Sequence, residues 1–180
     1  MRSLPEEKVR IRNCEEKDLS QIREIEKDSF GRDAYSLDLF LELLERFPPG
    51  FRVAEMDESG LVGYCIISPW PRNTLSLFSR FRKKTGTSEN SGSSSMLLYS
   101  LAVRKGHRRQ KIGTKLLEDA ISTAKKKDPP TRRLVLQVSV ENSGAKSLYE
   151  KFGFRSEALL RNYYGIGRDA IQMELSLTGQ

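Results

Sequence analysis

The sequence predicts an α/β or α+β sheet domain, and three observations carry that prediction. Its 180 residues suit one hydrophobic core. Short apolar runs alternate with stretches of helical spacing through the second half, the pattern of a sheet covered by helices. No internal repeat divides the chain, so one domain over residues 1–180 is expected, carrying a flexible basic and serine-rich insertion at about 72–95.

The elements follow in order. Val9, Ile11 and Cys14 around Arg10 and Arg12 read as a short strand. Glu16, Lys17 and Asp18 open a helix whose Leu19, Ile22, Ile25 and Phe30 keep helical spacing, and Gly31 ends it. A second helix fits residues 37–47 and stops at Pro48-Pro49-Gly50. FRVAEM and LVGYCIIS are strands joined by a turn at Asp57-Glu58-Ser59-Gly60. MLLYSLAV is apolar nearly throughout, as a strand buried on both faces should be. A helix over about 111–127, a buried strand RLVLQVSV, a helix over 143–152 and the strands FRSEALL and AIQMELSL complete the chain.

Lys and Arg number 31 against 24 Asp and Glu, a formal charge of +7, which favours an anionic partner such as nucleic acid, ribosome or a phosphorylated cofactor. Cys14 and Cys65 have no CxxC spacing and no histidine cluster, so reduced thiols are expected and neither a disulfide framework nor a metal site. The N-terminus lacks an apolar signal core and no run approaches the ~18 apolar residues of a membrane span. A cytoplasmic protein with no membrane partner is expected.

The stretch HRRQKIGTKLL stands where the buried strand hands over to a helix. Ile112, Leu116, Leu117, Ala120, Ile121 and Ala124 form the apolar stripe of that helix. A helix start leaves about four N–H groups unpaired and carries roughly half a positive charge, so anions bind there without a special side chain. Arg104, Lys105, Arg108, Arg109 and Lys111 add to that field. An exposed basic turn is the plainer alternative.

YSLAV, RRQKIGT, NSGAKSLYEKFGF and NYYGIGRDAIQMEL, in this order, resemble the GCN5-related N-acetyltransferase (GNAT) superfamily, and within it the RimI and Ard1 type of protein N-terminal acetyltransferase. The likeness covers about residues 9–177 and is strongest after Met96. It implies a mixed, mostly antiparallel sheet of about seven strands with helices on both faces, and acetyl-CoA as co-substrate. It also implies that Arg108, Arg109, Gln110, Lys111, Ile112, Gly113 and Thr114 form the pyrophosphate loop. Lys111 stands where that pattern usually has its first glycine; it should take ordinary helical angles, leaving Gly113 as the glycine that matters.

The same resemblance gives Leu101, Ala102 and Val103 the pantetheine arm, which their backbone would pair like an added strand while offering an N–H to the thioester oxygen. Asn142 resembles a cofactor-contacting asparagine, and it is also placed to cap a helix. Tyr149 stands where the family has a phenol that protonates the departing thiolate. Tyr35, Tyr163 and Tyr164 resemble the walls that hold a peptide N-terminus, and Tyr99 shares a strand face with Leu97 and Leu101, toward substrate or core. His107 reads as a solvated neighbour of the phosphates.

Related bacterial enzymes have a glutamate where this chain has Gln137, and an amide is no general base. An α-amine has a pKa of about 8 and a lysine about 10.4, so neutralising the first at pH 7 costs about 1.4 kcal/mol and the second over ~4. Gln137 thus favours a protein N-terminus as acceptor. Asp33, Glu141, or Tyr163 and Tyr164 through a water are the replacement bases to weigh. Three readings stay open: an N-terminal acetyltransferase acting on a peptide or a ribosomal protein, a lysine or small-amine acetyltransferase, and a CoA- or ribosome-binding module without turnover. Oligomeric state is not legible.

Overall fold

A computed structural model describes residues 8–69 and 95–178. Its seven strands form one sheet in the order β1-β2-β3-β4-β5-β7-β6. Pairing is antiparallel at β1–β2, β2–β3, β5–β7 and β6–β7 and parallel at β4–β5. The strands are β1 (Arg10–Asn13), β2 (Phe51–Met56), β3 (Gly60–Pro69), β4 (Ser95–Val103), β5 (Arg133–Ser139), β6 (Arg155–Leu160) and β7 (Ala170–Ser176). Among the described residues four α-helices accompany them: α1 (Leu19–Phe30), α2 (Leu37–Arg46), α3 (Ile112–Lys125) and α4 (Ser143–Lys151). The segment expected to be a flexible insertion at about 72–95 lies outside the described residues except for Ser95, which opens β4.

The chain divides into two compact units, Met1–Ile66 with Ser100–Ala120 and Ile67–Tyr99 with Ile121–Gln180. In the first unit, β2 is central: Ile11 pairs with Ala54 on one side and Tyr64 with Val53 on the other. Its core holds Ile22 and Ile25 of α1, Phe40 and Leu43 of α2, and Leu116 and Leu117 of α3, all fully buried. Phe40, Phe51 and Tyr64 meet with ring centroids 6.0–6.3 Å apart, within the range of tilted and edge contacts. Gly31 ends α1 at φ 55, a conformation open to glycine at little cost, and Ser36 caps α2 by accepting the Leu39 N–H.

Charge pairs trim this core. Arg52 bonds Asp119 at 2.7 Å and so ties β2 to α3. Arg12 bonds both Asp18 and Glu55, and Arg10 bonds Glu55. The two guanidinium groups hold the Glu55 carboxyl at about 2, well below its usual range. Burial alone would raise Asp18, but Arg12 and the Glu15 N–H outweigh it and its carboxyl is lowered.

In the second unit β5 is central, registered in parallel with β4 from Ser95↔Arg133 to Leu98↔Leu136 and antiparallel with β7 along its whole length. β6 pairs with β7, and its side chains are exposed up to Leu160. Both cysteines are free and buried, as expected, and burial pushes the Cys14 thiol up to about 12. No helix among the described residues is long and apolar enough to cross a membrane.

Candidate active site

Strand β4 supplies the first part of the site. The Arg104 N–H donates to the Val62 carbonyl at 2.8 Å, and a Cβ on Gly63 would come within 2.8 Å of the Ala102 carbonyl oxygen. Ala102 and Arg104 therefore turn their backbone groups toward β3. By strand alternation Leu101 and Val103 turn theirs to the opposite edge. The ladder with β5 ends at Leu98, while β4 runs on to Val103. Leu101 and Val103 are half-buried, whereas the strand before them is buried throughout. The result is an extended edge of backbone donors and acceptors.

The turn that follows departs from the expectation for Lys111. Instead of ordinary helical angles, Lys111 has φ 62, and Arg109 has φ 67. The helical ladder starts one residue later, with the Lys115 N–H donating to the Lys111 carbonyl at 3.0 Å, so Lys111 is the joint between turn and helix. A left-handed residue followed by a right-handed one swings successive N–H groups to the same side, the concave arrangement that receives anions. A non-glycine residue gives up about 1–2 kcal/mol to adopt it. Helix geometry leaves the N–H groups of Ile112, Gly113 and Thr114 without an intrahelical acceptor.

The cations of the turn divide into two sets. Arg104 donates to the Leu61 carbonyl at 2.8 Å and pairs with Glu24, and Arg108 donates to the Val103 carbonyl at 3.0 Å and to Ser29. These two hold the turn against β3, β4 and α1. Lys105, Arg109 and Lys111 are exposed and, among the described residues, have no ion-pair partner. Gln110 is exposed, Gly113 and Thr114 are half-buried, and Ile112 plugs the core. His107 is half-buried rather than solvated, with Nδ1 enclosed.

The second unit carries the other expected residues. Asn142 caps α4, its Oδ1 accepting the Ala145 N–H at 3.1 Å, which leaves its amide nitrogen for another partner. Tyr149, on the last turns of α4, is buried and packs on Phe154 with centroids 5.6 Å apart. Tyr163 and Tyr164 meet edge to face at 4.9 Å, and the Arg168 guanidinium lies 5.7 Å from the Tyr164 ring centroid. Burial pushes the Tyr163 phenol well up, so it stays protonated near neutrality and is no base by itself. Tyr99 is buried on β4. Half-buried Gln137 stands opposite Gln172 in the β5–β7 register, and each has one enclosed amide atom, Nε2 and Oε1, without a partner among the described residues.

In the first unit Tyr35 and Asp33 are half-buried in the connection between α1 and α2, and the Tyr35 ring meets Phe40 edge-on. Glu141 is exposed in the second. Sequence reasoning missed Glu26, which is 1 % exposed. Its carboxylate accepts the Tyr35 N–H at 3.0 Å, the Ser100 hydroxyl at 3.2 Å and the Tyr64 hydroxyl, and no cation pairs with it among the described residues. Burial pushes its pKa above the usual range, and the three donors restrain the rise. A signal was present: Glu26 lies one turn beyond Ile22 and beside Ile25, on the apolar stripe of α1.

The chain matches the model described as the acetyltransferase (GNAT) family over residues 19–154. An N-alpha-acetyltransferase of Sulfurisphaera tokodaii is 34 % identical over 171 residues, 93 % of each chain. A ribosomal protein bS18-alanine N-acetyltransferase of Escherichia coli K12 is 39 % identical over 84 residues, 45 % of this chain and 55 % of that one. The crystal structure of Ard1 from Thermoplasma volcanium has the same fold, with a TM-score of 0.76 at 23 % identity over 95 % of this chain and 99 % of that one.

Proposed function

We propose, from the premise that this chain belongs to the acetyltransferase (GNAT) family, that it moves the acetyl group of acetyl-CoA to the N-terminal α-amine of a protein. The observation that carries the cofactor half of this reading is the turn at Arg109–Thr114, where left-handed Arg109 and Lys111, unpaired helix amides and exposed cations converge on one short segment. A pyrophosphate is the part of acetyl-CoA that such a segment suits. Leu101 and the N–H of Val103, whose carbonyl already accepts Arg108, offer the pantetheine arm donors and an acceptor in the manner of an added strand. Asn142 adds its free amide nitrogen.

In the reaction the neutral α-amine attacks the thioester carbonyl, the carbon–sulfur bond breaks, the thiolate takes the proton of Tyr149, and the proton that the nitrogen sheds on becoming an amide restores the phenol. The β4 amides stabilise the oxyanion. The ammonium proton leaves before attack. An α-amine requires only about 1.4 kcal/mol for that step at pH 7, so Gln137 can replace a carboxylate without stopping the reaction. Gln137, Tyr99, Tyr163 and Tyr164 of the second unit are the residues assigned to the peptide there, as Tyr35 is in the first, and Tyr163, held protonated, serves as a hydrogen-bond donor. Asp33, half-buried beside Tyr35, is the carboxylate best suited to assist the amine; Glu141 is exposed. A ribosomal protein is the substrate to try first, given the Escherichia coli relative, and the cytoplasm is where such a substrate is made.

The test is incubation with acetyl-CoA and a panel of short peptides, with products mapped by fragmentation mass spectrometry. An α-acetylated product is expected, and its absence from every peptide refutes the proposal. Tyr149→Phe should lower kcat about 100-fold while acetyl-CoA affinity stays.

A further inference from the structure

The α1–α2 connection carries Asp33 and Tyr35, and its backbone is tied to a buried side chain by the bond from the Tyr35 N–H to Glu26 Oε1 at 3.0 Å. The other carboxylate oxygen is held from two strands. Tyr64 of β3 donates to it, Ser100 of β4 donates to it at 3.2 Å, and the two hydroxyls lie 2.8 Å apart. A buried carboxylate with no cation is an expensive way to stabilise a core, since an apolar side chain would fill the space without desolvation cost. What the carboxylate does that leucine cannot is accept a backbone N–H from a loop and hydroxyls from two strands at once.

We propose that Glu26 is a positioning residue for the acceptor substrate: it fixes the Asp33–Tyr35 loop to β4 at Ser100, next to the Leu101 backbone. The role rests on the α-acetylation reading, because it is the peptide N-terminus that Tyr35 is taken to hold. It is distinct from proton transfer. Glu26 is fully enclosed, so it touches neither the amine nor the cofactor, and it acts through Tyr35.

Three variants test it: Glu26→Leu removes the acceptor, Glu26→Gln keeps an oxygen for the Tyr35 N–H, and Tyr64→Phe removes one brace. Two quantities are read on each folded variant, the hydrogen-exchange rate of the Tyr35 amide and the separate KM values for peptide and acetyl-CoA. Glu26→Leu should speed Tyr35 exchange at least about tenfold and raise peptide KM by about fivefold or more, with acetyl-CoA KM unchanged. Glu26→Gln should restore both toward wild type. If Glu26→Leu does not fold, Tyr64→Phe should show the same shifts at smaller size. Unchanged Tyr35 exchange in the folded variants overturns the anchoring, and faster exchange with unchanged peptide KM overturns the substrate role. Failure of the parent reading looks different: the wild-type protein then acetylates no peptide, while Tyr35 exchange still reports whether Glu26 anchors the loop.

Discussion

The turn between β4 and α3 and the turn between β6 and β7 both contain residues in the left-handed region, yet they place that conformation on different side chains. In the first it falls on Arg109 and Lys111, with φ of 67 and 62. In the second it falls on Asn162, Gly165 and Gly167, with φ of 54, 123 and 73. Glycine adopts these angles at little cost and asparagine tolerates them; arginine and lysine do not. The second turn also closes on itself. The Asn162 N–H donates to Asp169 at 2.7 Å, Asn162 Oδ1 accepts the Gly167 N–H at 2.6 Å, and the Tyr164 N–H donates to the Arg168 carbonyl. The first leaves helix amides and three cations without such closure. A self-satisfied turn places its strain on glycine and asparagine, whereas the other accepts strain on arginine and lysine and leaves charge and N–H groups together, the feature on which the proposed acetyl-CoA site rests.

That contrast can be broken most severely from beneath the first turn. A Cβ at Gly63 would meet the Ala102 carbonyl at 2.8 Å and Leu116 Cδ1 at 3.2 Å, so Gly63→Ala must push β4 or α3 aside. It should cost about 1–3 kcal/mol in denaturant unfolding and weaken acetyl-CoA binding in calorimetry. Gly167→Ala should cost about 1–2 kcal/mol as well, from its positive φ with no neighbour in the way, and leave acetyl-CoA affinity unchanged. Lys111→Gly should do the reverse. Relief of the left-handed strain should stabilise the fold by up to about 1 kcal/mol, while loss of one cation should weaken acetyl-CoA a few-fold, most clearly at low salt.

The smallest effect expected concerns neither turn and serves as a control on the first unit. Glu55 has a folded pKa of about 2 against its ordinary 4.5, so its contribution is present above about pH 4.5 and is lost as pH falls toward 2. Glu55→Gln should flatten the acid limb of the thermal midpoint against pH. Glu26 has the opposite sign: its raised folded pKa favours folding below the ordinary carboxylate range, and that advantage is lost as pH rises through the folded value.

Local chemistry made much of the fold legible in the sequence. The β2 boundaries follow from FRVAEM between Gly50 and Asp57, and the end of α1 follows from Gly31. The motif order also led to the α4 cap at Asn142 and to Tyr149 on that helix. What stayed hidden depends on distant parts of the chain. The φ of Lys111 is set by where β4 must end and α3 must begin, a demand that overrides residue preference. Glu26 was visible as a charge on an apolar stripe, but its partners Tyr35, Tyr64 and Ser100 come from a loop and two strands that only folding assembles.

The most direct measurement is a single peptide carrying both a free α-amine and an internal lysine, incubated with acetyl-CoA from pH 6 to 8. Acetylation confined to the α-amine, with kcat/KM rising about tenfold per pH unit toward the α-amine pKa of ~8, is the predicted result. Acetylation of the lysine alone would contradict it.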